Sequence, residues 1–183
     1  MRHPWAVAAV CLLAVAACNP QPPKPKPSPS GRASHPAGSP TPLVLKITGR
    51  GSANRPVELS HQVHNWVDYD LLASSYESKG PQGRMRSVFQ DARVTFKDRQ
   101  GTTVMANAPQ AVVDETADTV TLLNGVHART SSGMTLQCTQ LVYSRITGMM
   151  HGTGAVVVTD PKGFRAMGSS FDSDLSLTHM RMQ

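Results

Sequence analysis

The chain has 183 residues, a formal net charge of +6 at pH 7 and only 5% aromatic residues, a size that suits one domain with its own core. The positive charge does not point to nucleic acid, because residues 43–183 hold 14 Lys and Arg against 12 Asp and Glu and are therefore only +2. The excess of positive charge lies in residues 1–42.

The N-terminus predicts export and attachment to a lipid. Arg2 precedes an apolar run over residues 5–17, which resembles a secretory signal and is short for a bilayer span. The run ends in Val15-Ala16-Ala17-Cys18, similar to a bacterial lipobox. Residues 1–17 are therefore predicted to be a lipoprotein signal peptide, and Cys18 the acylated first residue of the mature chain. An ordinary export signal with an incidental cysteine is the alternative.

Residues 18–42 are predicted to be the lipidated cysteine and a proline-rich linker. Nine of the 14 prolines lie within residues 19–42, a density that excludes helix and central strand and favours a polyproline spacer. At roughly 3.1 Å per residue, such a spacer reaches at most about 75 Å. Its Lys24, Lys26 and Arg32 suit anionic lipid headgroups, although a solvated charge excess explains them equally well.

The rest of the chain, residues 43–183, reads as short strands separated by turns. Alternating apolar residues predict strands, in chain order, near residues 43–47, 66–76, 88–97, 119–128, 155–159 and 174–182. No segment places apolar residues at i, i+3, i+4 and i+7 over three turns. The sequence therefore predicts an all-β domain, antiparallel because the connections are too short for crossovers.

A repeated pattern supports stacked hairpins. Gly101, Gly133 and Gly163 each open a six-residue alternating run, and they are 32 and then 30 residues apart. Each run is followed by a second apolar stretch, so one hairpin is predicted for each repeat. The inward-facing residues are mostly aliphatic. Two such sheets can pack shut or be held apart as an apolar slot, and the sequence leaves both open.

No combination of residues indicates catalysis. His61 and His64 are the closest approach to a metal pair, but two further ligands are not evident near them. Nucleophile, metalloprotease and phosphate-loop motifs are absent from the sequence. Cys138 would be the one cysteine left in the mature chain, and its apolar strand position predicts a core residue. We therefore expect no enzyme activity, no cofactor and no metal.

The ordered series of segments resembles the LptC family. The matching segments are residues 66–77, residues 88–98 with Gly101, residues 122–126, the pattern G-x-x-L-x-C-x-x-L-x-Y from Gly133 to Tyr143, and residues 168–172. The resemblance spans about residues 43–180. It implies a twisted, open, antiparallel β-jelly-roll of the LptC/LptA type, preceded by a disordered proline-rich spacer.

The same resemblance implies a function in lipopolysaccharide export. A protein of this family accepts lipopolysaccharide from an inner-membrane ABC transporter of the LptB/LptF/LptG type and passes it to an LptA-like periplasmic bridge protein. The protein would then be a relay on the periplasmic side of the inner membrane. Many family members have a transmembrane helix where this chain has Cys18. Asn19 is not the Asp associated with inner-membrane retention, so the outer membrane stays open as a location.

Two sets of site residues are predicted. The residues expected to line an apolar path for lipid are Val94, Phe96, Leu136, Tyr143, Phe164 and Phe171. Leu175, Leu177 and His179 are placed on a last strand whose free edge would dock a similar domain. The alternative is a structural or adhesive envelope lipoprotein with a closed β-sandwich, in which the first set is ordinary sealed core.

Overall fold

The computed structural model describes residues 44–52, 54–63 and 66–183. Cys18, the predicted signal peptide and the predicted linker lie outside these residues. Within them the chain forms one antiparallel sheet of 13 strands and no helix, so the all-β, antiparallel prediction is confirmed. The strands are β1 (Leu45–Arg50), β2 (Val57–Val63), β3 (Trp66–Ala73), β4 (Ser75–Gly80), β5 (Arg86–Lys97), β6 (Thr103–Asp114), β7 (Thr119–Leu123), β8 (Val126–Thr130), β9 (Thr135–Cys138), β10 (Gln140–Ser144), β11 (Met149–Thr159), β12 (Arg165–Ser173) and β13 (Met180–Met182).

Long strands divide this sheet into two layers. β5, β6 and β11 each exchange one neighbouring strand part-way along their length, and β12 follows β11 through the change. The first layer has the order β1-β4-β5-β6-β7-β10-β11-β12-β13. The second has the order β2-β3-β5-β6-β8-β9-β11-β12. The long strands therefore belong to both layers and join them.

The layers meet along a fold line, which we define as Ser74, Asp91, Pro109, Asn124–Gly125, Thr139 and Gly154–Ala155. Left-handed backbone is frequent there, with φ of 51° at Asp91, 70° at Asn124, 76° at Gly154 and 49° at Ala155. The register of β11 against β12 shifts between Thr153 and Val156. Bulges of this kind bend a strand and increase its twist, so the sheet bends back on itself at the fold line.

The inner surfaces of the two layers face each other. Phe96 lies on β5 in the second layer, and Tyr143 lies on β10 in the first. In a flat sheet three strand spacings, about 14 Å, would separate these strands. The centroids of the two rings are instead 4.6 Å apart. The layers are therefore folded onto each other. Each layer also has an end remote from the fold line, where turns connect its strands, and we call these ends the free ends.

Rows of directly paired residues form the core between the layers. In the first layer one row runs through Phe89, Ala111, Leu122, Leu141, Gly152 and Phe171. In the second, one row runs through Leu71, Val94, Ala106, Ala128, Leu136 and Val158. These residues are buried, and the outward residues between them alternate with period two. Both layers therefore share one hydrophobic core.

The turn glycines of the predicted repeat are confirmed. The two runs of a repeat do not form a hairpin with each other, because those of the first lie in one strand, β6, and those of the second lie on β9 and β10 in different layers. Gly101, Gly133 and Gly163 lie in the turns before β6, β9 and β12, with φ of 88°, 92° and 89°. All three turns are at the free end of the second layer. Glycine suits these positions because a side chain is disfavoured at positive φ.

Other strand predictions need correction. The runs predicted over residues 66–76 and 119–128 are each two strands, because the chain changes layer at Ser74 and at Asn124–Gly125. β2 was not predicted from the sequence. The strand predicted over residues 174–182 is wrong for most of its length, because residues 174–179 form a turn and only β13 follows.

Candidate functional site

A cavity of about 840 Å³ opens between the free ends of the two layers. We call it the mouth. The second layer contributes the ends of β2, β3 and β5 and the β5–β6 turn, whereas the first layer contributes the β10–β11 and β12–β13 turns. The residues that the argument below uses are Val63, Asp68, Lys97, Tyr143, Arg145, Ile146, Asp174, Leu175 and His179. This volume lies in the range of ligand-binding pockets in proteins.

Tyr143 and Leu175 connect the mouth to the core. Both line the cavity and both are buried core residues, 4% and 3% exposed. Val63 and the 76%-exposed Ile146 add apolar surface at the rim. The apolar interior is therefore continuous with the cavity, so a hydrocarbon chain entering the mouth would meet core side chains directly.

A series of aromatic rings leads inward along the same side. His61 stacks on Tyr69 with 5.5 Å between ring centroids, Tyr69 lies 6.5 Å from Phe96, and Phe96 lies 4.6 Å from Tyr143. Such offset and tilted pairs stabilise the packing beyond the area that they bury. His61 is held in place because its Nδ1 forms a hydrogen bond of 2.7 Å with Asp68 Oδ1.

Burial alters the proton affinity of the two tyrosines in this series. It raises the pKa of Tyr69 to about 12, with the positive charge of Arg145 opposing the shift. Burial also raises the pKa of Tyr143. Both phenols are therefore neutral over the physiological range, and this end of the core carries no phenolate charge.

Arg145 places a positive charge at the edge of the mouth. Its side chain is only 10% exposed and pairs with Asp118 through Nη2. Its Nε is buried and has no hydrogen-bond partner in the described part of the chain. A buried donor left unpaired costs about 1–3 kcal/mol, so an anionic group reaching this N–H would gain an unusually favourable hydrogen bond.

The other charges around the mouth are mixed. Lys97 Nζ donates to Asp70 Oδ2 at 2.6 Å, and the His179 ring lies 3.2 Å from Asp174 Oδ2. His179 is exposed at 88% of its side-chain surface. The mouth therefore combines an apolar floor with a polar rim, which includes the cations of Lys97, Arg99 and Arg145.

The residues predicted to line a lipid path fall into two groups. Five of them are at most 4% exposed and belong to the closed core: Val94, Phe96, Leu136, Tyr143 and Phe171. Phe164 is 72% exposed in the β11–β12 turn, so its predicted inward orientation is wrong. Phe96 and Tyr143 are brought together near the mouth, and only Tyr143 of the five lines the cavity as described.

The residues predicted on a docking strand lie elsewhere. Leu175 and Leu177 are 3% and 2% exposed in the turn before β13, with φ of 58° at Leu177. They cover the end of the core, and His179 lies in the same turn at the mouth. The outermost strand of the first layer at this edge is β13, which pairs with β12 on one side.

Cys138 is a core residue, as predicted. It is 6% exposed at the end of β9, and burial raises the pKa of its thiol to about 11. His64 lies outside the described residues. Among the residues that the structure describes, no three His, Cys, Asp or Glu side chains converge on a common point that could hold a metal ion.

Sequence reasoning missed Val63, Arg145 and Ile146 at the mouth, although it named Tyr143, Leu175 and His179 as site residues. Arg145 and Ile146 lie in a turn, and a turn has no hydrophobic periodicity from which their roles could be predicted. One local signal was present: a large apolar residue inside the polar turn before Gly148 is unusual. Val63 was missed because β2 itself was missed.

No protein-family model matches the chain, and no curated protein matches it significantly. In the described ranges, the structure contains no helix with the length and hydrophobicity needed to cross a membrane.

Proposed function

We propose that the domain is a twisted open β-jelly-roll of the LptC/LptA type that relays lipopolysaccharide across the periplasm. It would accept lipopolysaccharide from an inner-membrane ABC transporter of the LptB/LptF/LptG type and pass it to an LptA-like bridge protein. The mouth carries this proposal. Its apolar floor of Tyr143 and Leu175, with the cation of Arg145 among the lining residues, suits a molecule with acyl chains and an anionic headgroup.

Separation of the layers at the mouth would admit the acyl chains. Exposing apolar surface to water costs about 25 cal/mol per Å². When no lipid is bound, the layers therefore stay closed and the core side chains remain buried. An acyl chain that takes the place of water removes this cost. Phe96 and Tyr143 come from opposite layers and would be among the first to part, whereas the fold line holds the layers together at the other end.

Transfer between proteins would use unpaired strand edges. β13 ends the first layer at one side, and β2 ends the second layer. An edge strand with free N–H and C=O groups can add a strand from a similar domain. We assign the predicted docking role to β13 in place of Leu175, Leu177 and His179. Deletion of residues 180–183 is expected to abolish association with a bridge partner and to leave the β-sheet signal intact.

The anchor in this proposal is an acylated Cys18. Two or more acyl chains hold a protein stably on a membrane, so a transmembrane helix is not needed for the relay. Mass spectrometry of the mature protein is expected to find a chain that begins at Cys18 with acyl groups attached. The inner and the outer membrane are both compatible with Asn19, and fractionation distinguishes them.

Site-specific photo-crosslinking tests the lipid path. Crosslinkers at Phe96 and Tyr143, which face inward, are expected to capture lipopolysaccharide in cells. Thr95 and Val142 are the matched controls, because each is the chain neighbour of a test position and points to the opposite face of its strand. Capture from the two outward positions alone would contradict the proposal.

The second candidate function is a structural or adhesive envelope lipoprotein with a closed β-sandwich. The observation that favours it is the burial of Val94, Phe96, Leu136 and Phe171, none of them more than 1% exposed. Depletion of the protein separates the two functions. A relay predicts that lipopolysaccharide precursors accumulate at the inner membrane, whereas a structural lipoprotein predicts normal export.

A further inference from the structure

The outer faces of the two layers differ in charge. On the first layer, Lys46 and Lys79 both pair with Glu77, at 3.5 and 2.6 Å, and His151 pairs with Asp172 at 2.7 Å. On the second layer, the segments of β5, β6, β8, β9, β11 and β12 contain no Asp or Glu at all (residues 92–97, 103–108, 126–130, 135–138, 156–159 and 165–168). The carboxylates on the outer face of this layer, Glu58 and Asp70, lie on β2 and β3 at one edge. The strands from β5 to β12 therefore present cations without interspersed carboxylates.

These cations lie on two neighbouring rows of outward residues. One row pairs Arg93 with Asn107 and Asn107 with His127. The next row pairs Arg129 with Thr135, Thr135 with Thr159 and Thr159 with Arg165. Arg129 and Arg165 are thus three strands apart, about 14 Å. Both are exposed, and no carboxylate in the described part of the chain forms an ion pair with either.

The carboxylates in the turns at the free end of this layer are engaged locally. Asp98 Oδ1 accepts hydrogen bonds from the backbone N–H groups of Gln100 and Thr102, at 2.9 and 2.8 Å. Asp160 Oδ1 accepts from the backbone N–H groups of Lys162 and Phe164, at 2.9 and 2.7 Å. Their charge is directed to backbone donors at the free end. On the two outward rows, Asp70 pairs with Lys97 and Glu58 lies on β2 at the edge, so the part of the face from β5 to β12 remains positive.

Two flexible apolar side chains stand among these cations. Met105 is 52% exposed and pairs directly with Arg129, and Met167 is 70% exposed on β12, two residues after Arg165. Unbranched methionine adapts its shape to an irregular apolar surface. Membrane binding strengthens with the apolar area that is buried and with the attraction of cations to anionic lipids, and this face offers both.

We propose that this basic outer face, defined by Arg93, Met105, Arg129, Arg165 and Met167, docks on an anionic phospholipid bilayer. The arginines would contact lipid phosphates, and the methionines would enter the region between headgroups and acyl chains. An acidic protein partner would also match the charge, but it would leave the two exposed methionines without a role. The inference is independent of the proposed lipid relay, since it uses neither the mouth nor the core.

Vesicle co-sedimentation of the full chain tests this inference. The quantity measured is the ratio of the partition coefficients for vesicles of phosphatidylcholine with about 30% phosphatidylglycerol and for vesicles of pure phosphatidylcholine. All arms carry Cys18→Ala, so that acylation does not contribute and the basic N-terminal residues contribute equally. The double variant Arg129→Gln/Arg165→Gln is expected to lower the ratio by about fivefold for each arginine.

The matched control removes two cations from the first layer. Lys46→Gln/Arg86→Gln changes the net charge equally. Both residues are exposed and lie on one row of β1 and β5, on either side of Lys79 of β4. The ratio for this variant is expected to change less than twofold. Met167→Ser is expected to weaken binding to the anionic vesicles with all charges kept. Urea unfolding of each variant verifies that the fold is intact.

Three results would overturn the inference. Equal losses from the two double variants would mean that net charge alone attracts the vesicles. A ratio near one for the parent chain would mean that there is no preference for anionic lipid. Binding to soluble polyglutamate with no binding to anionic vesicles would assign the face to an acidic protein.

Discussion

The fold line and the free ends are opposite ends of the same long strands, yet they are built from different residues. The fold line carries small side chains and left-handed backbone, with backbone hydrogen bonds such as Thr139 N to Gly154 O at 2.8 Å. The free ends carry aromatic rings, ion pairs and a cavity of about 840 Å³. The layers are therefore fixed at one end, and any separation would begin at the other.

Phe171 and Phe164 offer the largest contrast between the two ends. Phe171 lies close to the fold line with none of its surface exposed, and Phe164 is 72% exposed at a free end. Phe171→Ala is expected to lower the free energy of unfolding by about 3–5 kcal/mol, because it empties a packed site. Phe164→Ala is expected to change it by less than about 0.5 kcal/mol.

Urea denaturation of both alanine variants measures this contrast. Phe171 fits opposite Gly152, where an added Cβ would lie 1.9 Å from the ring, so the ring fills the space that the glycine leaves. A loss at Phe164 comparable to that at Phe171 would mean that the free end is packed as tightly as the fold line.

Two glycines with similar backbone conformations give the next contrast. Gly154 at the fold line has φ of 76°, and a Cβ there would lie 2.5 Å from Thr139 Oγ1. Gly148 at a free end has φ of 67°, with no atom within 4 Å of such a Cβ. Gly154→Ala is expected to cost about 2–3 kcal/mol and Gly148→Ala about 1 kcal/mol.

Thermal or urea unfolding of the two glycine variants separates strain from crowding. Both variants pay for a side chain at positive φ, and only Gly154→Ala adds a clash with Thr139. Equal losses would therefore show that backbone conformation alone accounts for the effect, and that the fold line tolerates an extra methyl group.

Because Tyr69 is buried at the free end, we expect the free energy of unfolding to fall at alkaline pH. Burial raises its pKa to about 12, whereas an unfolded tyrosine titrates near 10. The folded state therefore keeps a proton that the unfolded state releases, and stability falls as the pH rises from about 10 to 12. At pH 11 the loss is about 1.4 kcal/mol.

Tyr69→Phe is expected to remove this part of the alkaline slope, measured by urea unfolding at a series of pH values. Cys138, whose pKa burial raises to about 11, supplies an internal control. Its contribution begins near pH 9 and remains in the Tyr69 variant. An unchanged slope above pH 10 in that variant would mean that the phenol already ionises in the folded protein.

The features that sequence reasoning predicted are local ones. Gly101, Gly133 and Gly163 were recognised as turns because a glycine next to an alternating run is a signal contained within six residues. Strand content followed from the same period-two pattern. The fold line was not predicted, because local alternation does not show which of two successive strands pairs with each half of β5, β6 and β11.

The errors near the free ends have a common cause. Phe164, Leu175 and Leu177 continue the alternation of neighbouring strands, so the sequence predicts strand residues at all three positions. In the structure the alternation continues beyond the end of the strand. Leu175 and Leu177 cover the core from a turn, whereas Phe164 extends past it into solvent. Where a strand ends relative to the core is a tertiary property.

The smallest expected effect concerns the ion pair on the outside of the free end. The Asp70 carboxylate accepts hydrogen bonds from Lys97 at 2.6 Å and from Ser60 at 2.5 Å, and these lower its pKa. A lowered pKa stabilises the folded state above the unfolded pKa near 4, and this stabilisation is lost as the pH falls through the folded value.

Asp70→Asn is therefore expected to cost less than about 1 kcal/mol at pH 7, because the pair is partly exposed and screened. The difference from the parent should shrink at about pH 3 and in about 1 M salt, as measured by urea unfolding. Asp172→Asn, which breaks the more exposed pair with His151 close to the fold line, serves as the comparison. A larger loss there would mean that exposed charges contribute more at the fixed end of the layers than at the end that is free to part.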